Sequence, residues 1–285
     1  YPDRHRGAVP FLINIGTACS RYAALGGSFF YNSTPHLFSY YSQGDFVSDE
    51  RIDALRQELE FQAAVSFALS CAYIQQSLIL FDGSLIFWHL EQADFALQKR
   101  FAHTYVASLM QLSERRQPIA GYISLPRNKE LMLLVKLFLA DFDTTAIERY
   151  QSVLLLQDAH LVAGFLEPAQ RTAVFESNCP LLWAYQSEVR PLFFYLNTGY
   201  EIARVEVPFW VGQEPSLLEF IASVTLDQAK KGFGYPIMLA EAHEQAVVKG
   251  ADREFFYQMV QRLASERNHP VLFSCKSLKK RIVGV

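Results

Sequence analysis

Short apolar runs of strand length alternate along this chain with longer segments of helical periodicity. The strand-like runs are 11–22, 77–81, 118–124, 192–196, 202–207 and 270–273, and 28–41 is either a strand or an extended loop. The helix-like segments are 46–72, 90–113, 129–140, 217–228 and 252–266, with further helical stretches within 152–167 and from Pro236 through His243. Because strands that alternate with helices build layered sheets, this order predicts an α/β fold.

Two of the strand-like runs, 192–196 and 202–207, flank the turn sequence Asn197-Thr198-Gly199. A short turn of this kind joins antiparallel neighbours, whereas the other strands are separated by helices. The sequence therefore predicts a mixed sheet flanked by helices. Since it contains no repeat, low-complexity tract or linker, we expect a single domain over 1–285, with insertions.

The first long helix has the clearest pattern. Ser48 can cap its start, and apolar side chains recur at three- and four-residue steps. We expect the following residues to face the core: Ile52, Leu55, Leu59, Ala63 and Phe67.

Composition limits the class of protein. Apolar residues make up 51% of the 285 residues and charged residues 19%, which is typical of a folded globular chain, and 23 Phe and 14 Tyr predict a ring-rich core. The net charge of -3 does not indicate nucleic-acid binding, but a local basic groove can still provide it. The sequence has no signal peptide or transmembrane pattern, and its four cysteines match no zinc motif. These features favour a cytoplasmic protein.

The strongest local signal for chemistry is Asp82-Gly83-Ser84, directly after the apolar run 77–81. A carboxylate at a strand end, followed by a glycine turn, is placed at the edge of a sheet. Oxygen ligands of this kind suit Mg²⁺ or Mn²⁺. An ordinary Asp-Gly turn without a functional role gives the same pattern.

Three further candidates, Glu60, His243 and Tyr235, lie in or next to predicted helices. Glu60 lies between apolar residues of the first long helix, so its carboxylate can reach the neighbourhood of Asp82, whereas Glu58 is expected to be exposed. His243 can bind a metal or transfer a proton, and Tyr235 can position a phosphate or a water. A solvated helix face for the glutamates and a structural role for a lone histidine are the common alternatives.

Basic side chains that can contact a phosphate include Arg127, which follows a predicted strand, and Arg171, which precedes one. The sequence has no Walker-type loop, no GxSxG and no HExxH motif. P-loop nucleotide hydrolases, serine hydrolases and zinc proteases therefore have no support.

Taken in order, these segments resemble the NurA family of DNA-repair nucleases over most of the chain. The matching segments are 12–16, Arg56 with Glu60, 80–85, 120–124, 203–208, Tyr235-Pro236 and Ala242-His243.

The resemblance implies an RNase H-like core that binds two divalent ions, Mn²⁺ or Mg²⁺. It implies that Glu60, Asp82 and His243 are metal ligands and that Tyr235 belongs to the catalytic site. Implied partners are DNA, a second copy in a homodimer, and a HerA-type hexameric ATPase that feeds DNA ends for resection in double-strand break repair. The expected activity is exonuclease and endonuclease cleavage of single- and double-stranded DNA.

One feature departs from the family pattern. The family's first metal-binding Asp lies just before a polar stretch similar to 1–5, and Asp3 is a poor match for it. We therefore expect that the chain is truncated at its N-terminus, lacks its first strand and one ligand, and is itself inactive, whereas the natural-length protein is an active enzyme. The alternatives are a non-catalytic adaptor that dimerises and docks on a DNA-translocating ATPase, or a nuclease that acts on RNA or branched DNA.

Overall fold

The computed structural model of the protein describes residues 8–22, 26–41, 49–72, 76–143 and 145–266. The chain divides into two compact units: the first comprises Tyr1–Ile52 and Ala242–Val285, and the second Asp53–Glu241. The single-domain assignment stays a prediction. None of the described helices is long and apolar enough to cross a membrane.

The strands of the described part are β1 Ala8–Arg21, β2 Ser28–Tyr41, β3 Ile79–Asp82, β4 Ile119–Ile123, β5 Phe175–Glu176, β6 Pro191–Asn197 and β7 Ile202–Pro208. Its α-helices are α1 Asp49–Ser70, α2 Phe95–Glu114, α3 Glu130–Leu139, α4 Asp158–Ala163, α5 Phe209–Gly212, α6 Pro215–Lys231, α7 Ile237–Ala246 and α8 Gly250–Glu266. Short 3-10 helices cover Trp88–Leu90, Ile147–Leu155, Pro180–Ala184 and Ser187–Val189.

In the first unit, β1 and β2 form an antiparallel hairpin, which confirms the strand predicted over 11–22 and shows that 28–41, left open between a strand and an extended loop, is a strand. Ile13 and Ile15 are buried at alternate positions of β1, as expected for a strand with one covered face. The Asn14 amide, on the other face, donates hydrogen bonds to the carbonyl oxygens of Gln245 and Ala246, at 2.9 and 3.2 Å. Because the last carbonyls of a helix have no amide of the same helix to pair with, Asn14 satisfies the end of α7.

The second unit contains a five-stranded sheet in the order β3-β4-β7-β6-β5. Strands β3 and β4 run parallel, whereas the other neighbours are antiparallel. The predicted mixed α/β architecture is therefore confirmed. The strand predicted over 77–81 ends one residue later, so that Asp82 is the last residue of β3.

Aromatic rings form much of the core of the second unit. Phe61 of α1 stacks on Phe81 of β3 with ring centroids 4.9 Å apart, and Phe87 packs against Tyr105 of α2 at 4.6 Å. The rings of Phe61, Phe87 and Tyr105 are fully buried. The prediction of a ring-rich core is confirmed, and the Phe61–Phe81 pair fixes α1 against the strand that ends in Asp82.

The predicted buried face of α1 is partly wrong. Of the five predicted core residues, only Leu55 is buried, and Ile52, Leu59, Ala63 and Phe67 are half-buried. The buried residues of the helix are Ala54, Leu55, Gln57, Phe61, Ala64 and Ala68. Apolar residues lie on more than one side of this helix, so its sequence allows several registers. The stacking of Phe61 selects the register. The predicted cap Ser48 and the predicted strand 270–273 lie outside the described residues.

Two helix boundaries also differ from the prediction. The helix predicted from residue 90 begins at Phe95, because the Asp94 carboxylate caps it and accepts a hydrogen bond from the Leu97 amide at 3.0 Å. The helical stretch predicted within 152–167 is divided into the 3-10 helix Ile147–Leu155 and α4.

Gly121 lies where β4 passes close to the turn that follows Asp82. A Cβ atom at Gly121 would be 2.5 Å from the Gly83 carbonyl oxygen, and Leu85 also contacts this position. We expect Gly121→Ala to reduce the free energy of unfolding by about 1–3 kcal/mol, as overpacking does. Thermal or urea unfolding measures this change.

Gly250→Ala is the matched control, because a Cβ atom at Gly250 would meet nothing within 4 Å and the residue lies at the start of a helix. The control should unfold at or slightly above the wild-type temperature. If Gly121→Ala were as stable as the wild type, the close approach between Gly121 and the Gly83 carbonyl would be contradicted.

Candidate acidic site at the end of β3

Asp82 is exposed at the C-terminal end of β3, next to its register partner Tyr122 on β4. The chain turns directly after it, because Gly83 adopts φ +127°, a conformation that favours glycine. The Gly83 amide donates a hydrogen bond to the Tyr122 carbonyl at 3.1 Å. Strand pairing and the glycine turn therefore hold the Asp82 carboxylate at the sheet edge.

Tyr235 contacts Asp82 directly. Its hydroxyl donates a hydrogen bond to Asp82 Oδ1 at 2.6 Å, and its ring packs edge-on against the Tyr122 ring at 5.5 Å. Burial, the hydrogen bond to Asp82 and the negative charges of Asp82 and Glu201 raise the pKa of Tyr235 well above its ordinary value. The phenol therefore stays protonated and acts as a donor.

The charge of Asp82 is one of the influences on the pKa of Glu60. Burial is the main cause that raises the pKa of Glu60, the Asp82 charge raises it further, and the adjacent Arg56 guanidinium partly offsets both. Arg56 Nη1 lies 2.8 Å from Glu60 Oε1, and the Glu60 side chain is 26% exposed. Glu58 is half-buried, whereas it was predicted to be exposed. Burial and the charge of Glu58 raise the pKa of Tyr105.

The remaining predicted site residues lie elsewhere on the chain. His243 is exposed in the last turn of α7 and belongs to the first unit, whereas Asp82 and Glu60 belong to the second. Arg127 is exposed after β4. Arg171 is half-buried, and its Nη1 donates a hydrogen bond to the Thr172 carbonyl at 2.9 Å. The functional roles of these three residues stay predictions.

A buried ion pair behind Asp82 was missed by the sequence analysis. The Glu206 carboxylate is fully buried and accepts hydrogen bonds from Ser84 Oγ at 2.6 Å, from the Leu85 amide at 2.9 Å and from Arg204 Nε at 2.8 Å. Arg204 also pairs with Glu130 at the start of α3. The signal was available in the sequence, because Arg204 and Glu206 occupy alternate positions in an otherwise apolar strand.

Glu201 is a second residue that the sequence analysis missed. It accepts hydrogen bonds from the Tyr122 hydroxyl at 2.6 Å, from Ser124 Oγ at 2.7 Å and from the Leu125 amide at 2.9 Å. Nothing in the local sequence indicates this role, since Glu201 directly follows a turn. Its partners lie at the end of β4 and just after it, far away along the sequence.

The chemistry of the donors at this site suits a hard divalent cation. Asp82 and Glu60 supply carboxylate oxygens, and Asp82 contributes to the raised pKa of Glu60, so a cation near both would relieve their repulsion. Across the described ranges, no group of three or more His, Cys, Asp and Glu residues is placed to hold a metal ion.

These features define the protein as an α/β protein with a mixed sheet and an acidic site at a strand end. The NurA domain model matches residues 20–248, most of the chain, and the chain therefore belongs to the NurA family. This membership supports a nuclease role in the broad sense.

The comparison with solved structures finds a protein whose fold is similar to that of this chain. The NurA nuclease from Sulfolobus solfataricus is similar, with a TM-score of 0.52 and 14% identity, over 94% of this chain and 88% of that chain. No curated protein matches the chain significantly.

We expect Glu206→Gln to reduce the free energy of unfolding by about 3 kcal/mol, because it removes the fully buried negative charge that pairs with the buried Arg204. Urea unfolding of the purified variant measures the loss. Glu114→Gln is the matched control, since Glu114 is exposed at the end of α2. A Glu206→Gln variant as stable as this control would show that the ion pair does not support the fold.

Proposed function

We propose that this NurA-family protein is a divalent-metal-dependent nuclease that hydrolyses phosphodiester bonds in DNA. The observation that carries the proposal is the hydrogen bond from Tyr235 to Asp82 at the end of β3. Burial and, to a smaller extent, the charge of Asp82 raise the pKa of the Glu60 carboxyl. The proposal includes cleavage of single- and double-stranded DNA, from ends and internally. An RNase H-like core is part of it.

Asp82 and Glu60 are the residues of the second unit that would hold the metal ions, Mn²⁺ or Mg²⁺, and two ions are proposed. Asp82 is exposed and receives its hydrogen bond from Tyr235 on Oδ1. Its carboxylate can therefore bind a cation from the solvent side while Tyr235 fixes its orientation. When bound, the ions supply an activated water and stabilise the departing 3′ oxygen.

The other residues of the proposed site orient groups and carry charge. Tyr235 keeps its proton and can donate a hydrogen bond to Asp82 or to a phosphate oxygen. Arg56 limits the repulsion between Glu60 and Asp82, because its guanidinium pairs with Glu60. His243 is proposed as a further metal ligand, and Arg127 and Arg171 as contacts to the DNA backbone.

The proposed partners are DNA, a second copy of the chain and a HerA-type hexameric ATPase. We place the activity in DNA end resection during double-strand break repair, in the cytoplasm. Membership of the NurA family supports these proposals. The acidic site lies in the second unit. In any of the proposed assemblies, the partners would have to bring a DNA end to this site.

We expect Asp82→Asn to reduce the rate of DNA cleavage roughly 100-fold or more, because the neutral amide is a much weaker ligand for a hard cation. Glu60→Gln should also reduce the rate of DNA cleavage, for the same reason. The measurement is Mn²⁺-dependent degradation of end-labelled single- and double-stranded DNA, with Mn²⁺ binding followed by calorimetry.

The control is Asp141→Asn, an exposed aspartate that follows α3 at φ +51°, where Asn is well tolerated. It should cleave DNA and bind Mn²⁺ as the wild type does. Cleavage that survives Asp82→Asn would place the site elsewhere. If the wild type does not cleave DNA even with the ATPase present, the non-catalytic adaptor becomes the better explanation.

A further inference from the structure

Glu201 directly precedes β7, and its backbone is fixed by Thr198 of the preceding turn. The Glu201 amide donates a hydrogen bond to Thr198 Oγ1 at 3.1 Å, and the Thr198 amide donates one to the Glu201 carbonyl at 3.0 Å. Thr198 is itself buried. The Glu201 side chain therefore projects from a well-defined position.

The Glu201 carboxylate connects this turn to the end of β4. Oε1 accepts the hydrogen bond from Tyr122, and Oε2 accepts those from Ser124 and Leu125. Leu125 adopts φ +44°, a left-handed conformation that is unfavourable for leucine. The hydrogen bond to its amide compensates for part of this strain, so Glu201 holds the turn after β4 in place.

Tyr122 transmits this constraint to the acidic site. It is 1% exposed, it is the register partner of Asp82, and its ring packs at 82° against Tyr235. Tyr235 in turn donates its hydroxyl hydrogen bond to Asp82. Each group in the series from Glu201 through Tyr122 and Tyr235 to Asp82 therefore contacts the next.

We propose that Glu201 is a positioning residue, which fixes Tyr122 and the turn after β4 so that Tyr235 and Asp82 hold one arrangement relative to the bound phosphate. This inference rests on the proposed nuclease function. Glu201 is not one of the proposed metal ligands or phosphate contacts. It accepts hydrogen bonds with both carboxylate oxygens, whereas Asp82 is exposed to solvent.

The charge of Glu201 has a second effect on the same tyrosines. Its negative charge contributes to the raised pKa of Tyr235, and its hydrogen bond contributes to the raised pKa of Tyr122. Burial is the larger cause for both. In the structure both phenols donate their hydroxyl hydrogen bonds to carboxylates, Tyr122 to Glu201 and Tyr235 to Asp82.

The test uses the complete protein, Mn²⁺ and an end-labelled oligonucleotide, with kcat and KM measured separately. Glu201→Gln should lower kcat on the order of 10- to 100-fold and leave KM for DNA nearly unchanged, because a displaced active-site group impairs the chemical step more than binding. Tyr122→Phe, which keeps the ring and removes the hydroxyl, should reproduce most of this loss.

A double-mutant cycle separates positioning from a general loss of stability. If Glu201 acts through Tyr235, the loss in the Glu201→Gln/Tyr235→Phe double variant should be clearly smaller than the product of the two single losses. A purely structural role would give independent, multiplicative losses. Glu188→Gln is the matched control, since Glu188 also accepts a serine hydrogen bond, from Ser113, at 3.2 Å.

Three outcomes are informative. Reduced kcat with unchanged KM and a non-multiplicative cycle supports the proposal. Wild-type kcat in folded Glu201→Gln, with cleavage still abolished by Asp82→Asn, overturns the proposal and leaves the nuclease function intact. Cleavage that is insensitive to both Asp82→Asn and Glu201→Gln overturns the nuclease site itself, and the positioning role with it.

Discussion

The buried carboxylate of Glu206 is the interaction on which the arrangement of the acidic site depends. A fully desolvated charge is tolerated in a protein interior when it is paired and hydrogen-bonded. Glu206 meets this condition through Arg204 on its own strand and through Ser84 and the Leu85 amide in the turn after β3. Because Arg204 also pairs with Glu130, the start of α3 is joined to the same strand. The turn that follows Asp82 is therefore tied to the centre of the sheet.

Tyr235 and Glu60 interact with Asp82 in opposite ways. Tyr235 donates a hydrogen bond to Asp82, while the charge of Asp82 raises the pKa of Glu60 together with burial. The Asp82 charge disfavours the ionised form of Glu60, and in the proposed nuclease a bound cation would offset this effect. This arrangement is consistent with membership of the NurA family.

The element pattern was predictable where local sequence decides structure. The pair β6 and β7 followed from two apolar runs around Asn197-Thr198-Gly199, and the position of Asp82 followed from the apolar run before it. The buried face of α1 was predicted less well, because apolar residues on several sides of the helix permit more than one register. The stacking of Phe61 on Phe81 selects one of them, and this contact joins a helix to a strand that the sequence does not pair.

The sequence by itself determined the α/β class, the strand that ends in Asp82 and the acidic character of its helix neighbour Glu60, since these depend on periodicity and turn chemistry over a few residues. Only the tertiary structure decided which side chains meet at Asp82 and around it. Tyr235 is 153 positions away from it, Ser84 and Glu206 are 122 apart, and Tyr122 and Glu201 are 79 apart. Contacts over such separations arise from strand order and packing, and the local pattern around each residue contains no information about its partner.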